Sequence, residues 1–65
     1  MRIILNGEST DIINVNTVDD LIRELNLKGR LAVEVNQQII PRSLFHSQKI
    51  STGDRIEIVH AIGGG

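Results

Sequence analysis

The residues able to do chemistry in this chain are few, and they do not converge. There is no cysteine, so no thiolate nucleophile, no disulfide and no cysteine-based metal site. His46 and His60 have no close acidic ligand partner and no metal-ligand spacing. Ser9, Ser43, Ser47 and Ser51 lack the strand–turn–helix setting of an activated serine. Asp11, Asp19, Asp20, Glu24, Asp54 and Glu57 fall at caps, turns and exposed positions, with no pair placed for coupled acid–base work. The glycines precede no helix at phosphate-loop spacing. What remains is the main-chain carboxylate of Gly65, behind Gly63 and Gly64. A carboxylate is a poor electrophile until it is activated. Joined to AMP by another enzyme, its carbon opens to attack by a sulfur nucleophile, and the product is a thiocarboxylate. Glycines without Cβ suit a thin tail that threads a channel and lies close to a nucleotide. The plainer reading of such a tail is a frayed terminus. On either reading the expected division is a body over residues 1–62 and a tail over 63–65.

Sixty-five residues make one domain, near the lower size for unaided folding. With 40% hydrophobic residues, burial of apolar groups has to carry the fold. That leaves no room for a deep enclosed pocket, so a self-contained enzyme is not expected and no bound cofactor is called for. The net charge is −1 and Phe45 is the single aromatic residue, which speaks against nucleic-acid binding by a basic, aromatic surface. Apolar runs are far below the ~20 residues that cross a bilayer, and Met1–Leu5 stops at Asn6-Gly7 without forming a signal peptide. A soluble protein of the cytoplasm is expected, or of an organelle stroma if an organelle encodes it.

The elements that would hold the tail are legible from periodicity and turn chemistry. Asn6-Gly7 between Met1–Leu5 and Glu8–Val15 predicts a tight antiparallel hairpin. Thr17 is positioned as an N-cap, although Asp20 stands where a capping box prefers glutamate. Val18, Leu21, Ile22 and Leu25 make one apolar stripe, predicting a helix from Val18 to Asn26 or Leu27, stopped before Gly29. Leu31–Asn36 alternates as a half-buried strand, and Ile39-Ile40 is a short strand ended by Pro41. Ser43–Gln48 holds about one helical turn, and Arg55–Ala61 is the last strand, with Ile56, Ile58 and His60 on one face. Placing the last strand beside and parallel to the first gives an α+β architecture of the β-grasp kind. It has a mixed four- to five-stranded sheet with one main helix on one face. Ile3 and Leu5 then face the core and Ile4 faces out. Val59 also faces out, so Ile4, Val59, Ala61 and Ile62 are expected to form an apolar partner-docking patch beside the tail.

Taken together, these segments resemble the ubiquitin-like sulfur carriers, and most closely the ThiS family of thiamine biosynthesis. The resemblance spans the chain. It rests on the Asn-Gly hairpin, the Thr17-Val18-Asp19-Asp20-Leu21 helix start, Leu31–Asn36, Gln37-Gln38-Ile39-Ile40-Pro41-Arg42, Gly53-Asp54, Ile56–Val59 and Gly64-Gly65. Phe45 stands where the family commonly has tryptophan, and Gly63 is a third glycine where the family needs two. The resemblance implies that Gly65 is adenylated by a ThiF-like adenylyltransferase using ATP and magnesium. It implies that a sulfur donor such as a cysteine desulfurase supplies the sulfur, and that a ThiG-like thiazole synthase receives it. Two rivals share the fold: the small subunit of molybdopterin synthase, commonly longer than this chain, and a non-catalytic β-grasp interaction module.

Overall fold

A computed structural model of the chain describes residues Met1–Ala61. Five strands, β1 (Arg2–Leu5), β2 (Glu8–Asp11), β3 (Leu31–Val35), β4 (Gln38–Ile40) and β5 (Arg55–His60), form one sheet in the order β2-β1-β5-β3-β4. β1 and β5 run parallel and the other neighbours antiparallel, so the sheet is mixed, as the β-grasp expectation required. Helix α1 (Val18–Glu24) lays Val18 and Leu21 into the same core as Ile3 from β1, Val33 from β3, and Ile56 and Ile58 from β5. Phe45 and Ile50, from the connection between β4 and β5, complete that core.

The hairpins follow from residues that tolerate positive φ. Asn6 (φ 49°) and Gly7 (φ 84°) turn β1 into β2. The Asn6 side chain also extends the parallel ladder. Its Oδ1 accepts from the Ile58 N–H at 2.9 Å, and its Nδ2 donates to the Ile58 carbonyl at 3.2 Å. Asn36 (φ 51°) and Gln37 (φ 70°) turn β3 into β4. Asn36 is secured because its Oδ1 accepts from the Arg55 N–H at 2.9 Å. Gln37 has no such compensation and carries a Cβ into a region that disfavours it. The Gln37→Gly variant is therefore expected to be more stable by about 0.5–1 kcal/mol, read from urea unfolding.

Three details differ from the sequence reading. The second strand ends at Asp11 rather than Val15: Asp11 pairs with Arg2, and Ile12 N–H bonds the Met1 carbonyl at 2.9 Å. Ile12 and Val15 reach the core from the loop instead. The helix stops at Glu24, with Asn26 (φ 56°) rather than Gly29 as its left-handed terminator. Asn26 N–H bonds Arg23 O and Leu27 N–H bonds Ile22 O, the paired bonds of a Schellman motif. Third, the capping box is complete even with aspartate in the glutamate place. Thr17 Oγ1 accepts from Asp20 N–H at 3.2 Å, and Asp20 Oδ2 accepts from the N–H groups of Asn16 and Thr17 at 2.9 and 3.2 Å. The two helical N–H groups before Asp20 bond Gln48 O and Phe45 O, so the first turn has its donors satisfied.

The backbone N–H of Asn16, above all, favours the ionised Asp20 and holds its carboxyl below the ordinary aspartate value of 3.8; Arg23 adds to this. A carboxyl whose pKa is lowered on folding stabilises the protein above its unfolded pKa, and that contribution is lost as pH falls through the folded value. The Asp20→Asn variant is thus expected to be less stable than the parent at neutral pH. Below pH 3.8 the gap between their melting temperatures should close. Parallel melting curves down an acid series would contradict it.

Candidate functional site: the outer sheet face and the base of the tail

Alternation along each strand sends one set of side chains to the core and leaves the other set on an uncovered face of the sheet. The register fixes which of these are neighbours. Ala32 lies opposite Val59, Glu34 lies opposite both Glu57 and Ile39, and Ile4 lies opposite Arg55 and Ser9. Ile39 and Val59 are exposed to 78% and 56%, well beyond what core residues show. With Ala32, Glu34 and Glu57 they line a shallow recess of about 120 Å³. On the β2 edge of this face Arg2 grips Asp11 through two 3.0 Å bonds. Those bonds, with the attraction between the charges, hold the Asp11 carboxyl below its ordinary value.

The expected docking residues are therefore distributed as follows. Val59 sits in the recess beside Ala32. Ile4 is half-buried and stands four residues of β5 away from it, about 13 Å at strand rise, with Arg55 opposite. Ala61 is half-buried just past β5. Ile62 and the tail residues Gly63, Gly64 and Gly65 lie outside the described residues. The reading from sequence missed Ala32, Ile39 and the Glu34–Glu57 pair. Alternation in Leu31–Asn36 and Arg55–Ala61 had put Ala32, Glu34 and Glu57 on the outward side. Only the register shows that they are neighbours.

The point from which the tail departs is secured by short bonds. Ala61 N–H donates to the Arg30 carbonyl at 2.9 Å. The His60 ring places Nε2 3.0 Å from the Lys28 carbonyl, a contact in which that nitrogen is the donor. Gly29 adopts φ 93° between these two carbonyls, so the tight loop from α1 to β3 is shaped to receive the end of β5. On the helix side a cleft of about 380 Å³ opens between α1, this loop and the Arg42–Leu44 turn, with Asp19, Lys28 and Arg42 at its rim. His46 is exposed and far in sequence from the tail. Among the described residues no group of three or more histidine, aspartate or glutamate side chains is placed to hold a metal ion, and no helix is long and apolar enough to cross a membrane.

A family model described as the ThiS family matches residues 3–65. A protein named thiazole synthase from Paramagnetospirillum magneticum is 39% identical over 66 residues, covering all of this chain and 20% of that protein. The chain thus spans about a fifth of that relative's length. The sulfur carrier protein ThiS of Escherichia coli is 30% identical over 66 residues, with both chains covered in full. The crystal structure of a thiamine biosynthesis protein (ThiS) from Geobacter metallireducens superposes with a TM-score of 0.87 at 25% identity, again over the whole of both chains.

Proposed function

The chain belongs to the ThiS family, and from that premise we propose that it is a sulfur carrier of thiamine biosynthesis whose reactive group is the Gly65 carboxylate. An adenylyltransferase of the ThiF kind joins that carboxylate to AMP from ATP and magnesium, releasing pyrophosphate. Persulfide sulfur, taken from cysteine by a desulfurase, adds to the acyl carbon and AMP leaves; a thiol then reduces the S–S bond of the acyl disulfide, itself ending in a disulfide, and Gly65 carries a thiocarboxylate. A thiazole synthase then takes the sulfur. The folded body is a handle. It contributes a docking face (Val59 with Ala32 and Ile39, Ile4 and Ala61 at its margins, and Ile62 beyond) and a fixed point of departure at His60 and Ala61. Gly63 and Gly64 serve as the slender part that enters a partner's channel. The chain itself turns nothing over; it is a co-substrate of its partners, in the cytoplasm or, if organelle-encoded, the stroma.

The observation that carries this reading is the family match, which spans residues 3–65 and so takes in the glycines. It is supported by relatives named thiazole synthase in two bacteria, each of which contains a stretch aligned with the whole of this chain. The test is intact mass after incubation with the adenylyltransferase, ATP, magnesium and a sulfur donor. Exchange of one carboxylate oxygen for sulfur adds about 16 Da at the activated group. An unchanged mass under conditions where the enzyme consumes ATP with a known carrier would defeat the proposal.

A further inference from the structure

The outer face holds an arrangement that the folded chain alone does not justify. Glu34 of β3 and Glu57 of β5 are direct cross-strand partners. Side chains so paired have Cβ atoms roughly 5 Å apart, and like charges there destabilise the sheet. Neither carboxylate is in an ion pair among the described residues. The nearest cation on the same face of β5 is Arg55, two residues from Glu57, about 7 Å at strand rise. Apolar groups border the pair: Ile39 beside Glu34, and Val59 with Ala32 one row further along. Two unneutralised negative charges inside an exposed apolar surface are costly to cover unless the covering surface brings positive charge. A second copy of this chain brings the same two carboxylates, so the face repels itself.

We infer that Glu34 and Glu57 together receive a cationic side chain, arginine or lysine, from the thiazole synthase that docks on this face, while Ile39, Val59 and Ala32 take apolar side chains around it. The inference rests on the docking reading above and adds to it the charge that selects the partner. A guanidinium reaching between the two carboxylates satisfies both and removes their mutual repulsion, so the free carrier is strained where the complex is relaxed. Surfaces lacking that cation would bury two uncompensated charges and be rejected.

The experiment compares the parent chain with the Glu34→Gln/Glu57→Gln variant, and with Glu24→Gln as a single-charge control on the helix. Each is titrated against the thiazole synthase and the adenylyltransferase of the same source, at low and high salt, and each free protein is melted. The parent is expected to bind the synthase with an affinity that falls as salt rises. The double variant should bind it at least tenfold more weakly, the order lost when one side of a close interfacial charge pair is removed, and with a flatter salt dependence. The free double variant should melt at the same or a higher temperature, which separates lost recognition from lost folding. Glu24→Gln should behave as the parent. Equal synthase affinity of parent and double variant overturns the inference and leaves the docking reading standing, as does a loss confined to the adenylyltransferase. Failure of the parent to bind either enzyme overturns the docking reading and this inference with it.

Discussion

A chain ending at Gly63 is expected to accept no sulfur at all, while its far-ultraviolet spectrum and melting curve match those of the full chain. The two halves of this result have separate causes. The described core closes with Ile58, and the last described backbone bond of the body is donated by Ala61. Removing Gly64 and Gly65 therefore subtracts none of the described core residues that hold the sheet to the helix. On the proposed carrier mechanism, by contrast, function rests on one carboxylate, and a carboxylate moved two residues toward the body falls short of the nucleotide by about 7 Å of extended chain. Proximity effects in catalysis are steep, so a displacement of that size leaves no measurable reaction. The check is mass spectrometry for the thiocarboxylate alongside circular dichroism on the same sample. A shortened chain that still gained sulfur at the parent rate would remove the basis of the carrier mechanism.

The second large effect is on stability. Ile56→Ala is expected to cost about 2–5 kcal/mol, the range for truncating a large buried aliphatic residue. Ile56 is fully buried in β5, the strand flanked by β1 and β3, opposite Leu5 on one side and Val35 on the other. The side chain lost there leaves a gap bordered by strands that cannot move independently. A domain of this size has about 3–10 kcal/mol in total, so the variant should melt at least roughly 10 °C lower and unfold partly near body temperature. Val59→Ala, three residues along the same strand but 56% exposed, is expected to change stability by no more than about 0.5 kcal/mol. Equal losses at the two positions would contradict the placement of the core on the helix side alone.

Much of this architecture was written in local patterns. Asn6-Gly7 marked the first turn because asparagine and glycine are the residues that reach positive φ at low cost, and the structure has both there. Val18, Leu21, Ile22 and Leu25 marked the helix, and alternation in Leu31–Asn36 and Arg55–Ala61 marked two strands with their inward faces. That the side chains offer no catalytic cluster by type and spacing was likewise legible in the sequence.

What the sequence determined was therefore local: the period of each segment, the turns between them, and the side to which each residue points. Period and turn chemistry depend on neighbours within a few residues, so they survive in a string of letters. What the tertiary structure decided was register and termination. A period of two says that Glu34 and Glu57 both face outward, but sliding β5 by two residues past β3 leaves that unchanged while giving each a different partner. Only the packing of Ile56 and Ile58 against the helix side selects one offset, and with it the meeting of the two carboxylates beside Ile39. In the same way the pairing with β1 decided that β2 stops at Asp11, and the backbone at Thr17 and Asn16 decided that Asp20 caps the helix, by bringing two N–H groups to its carboxylate.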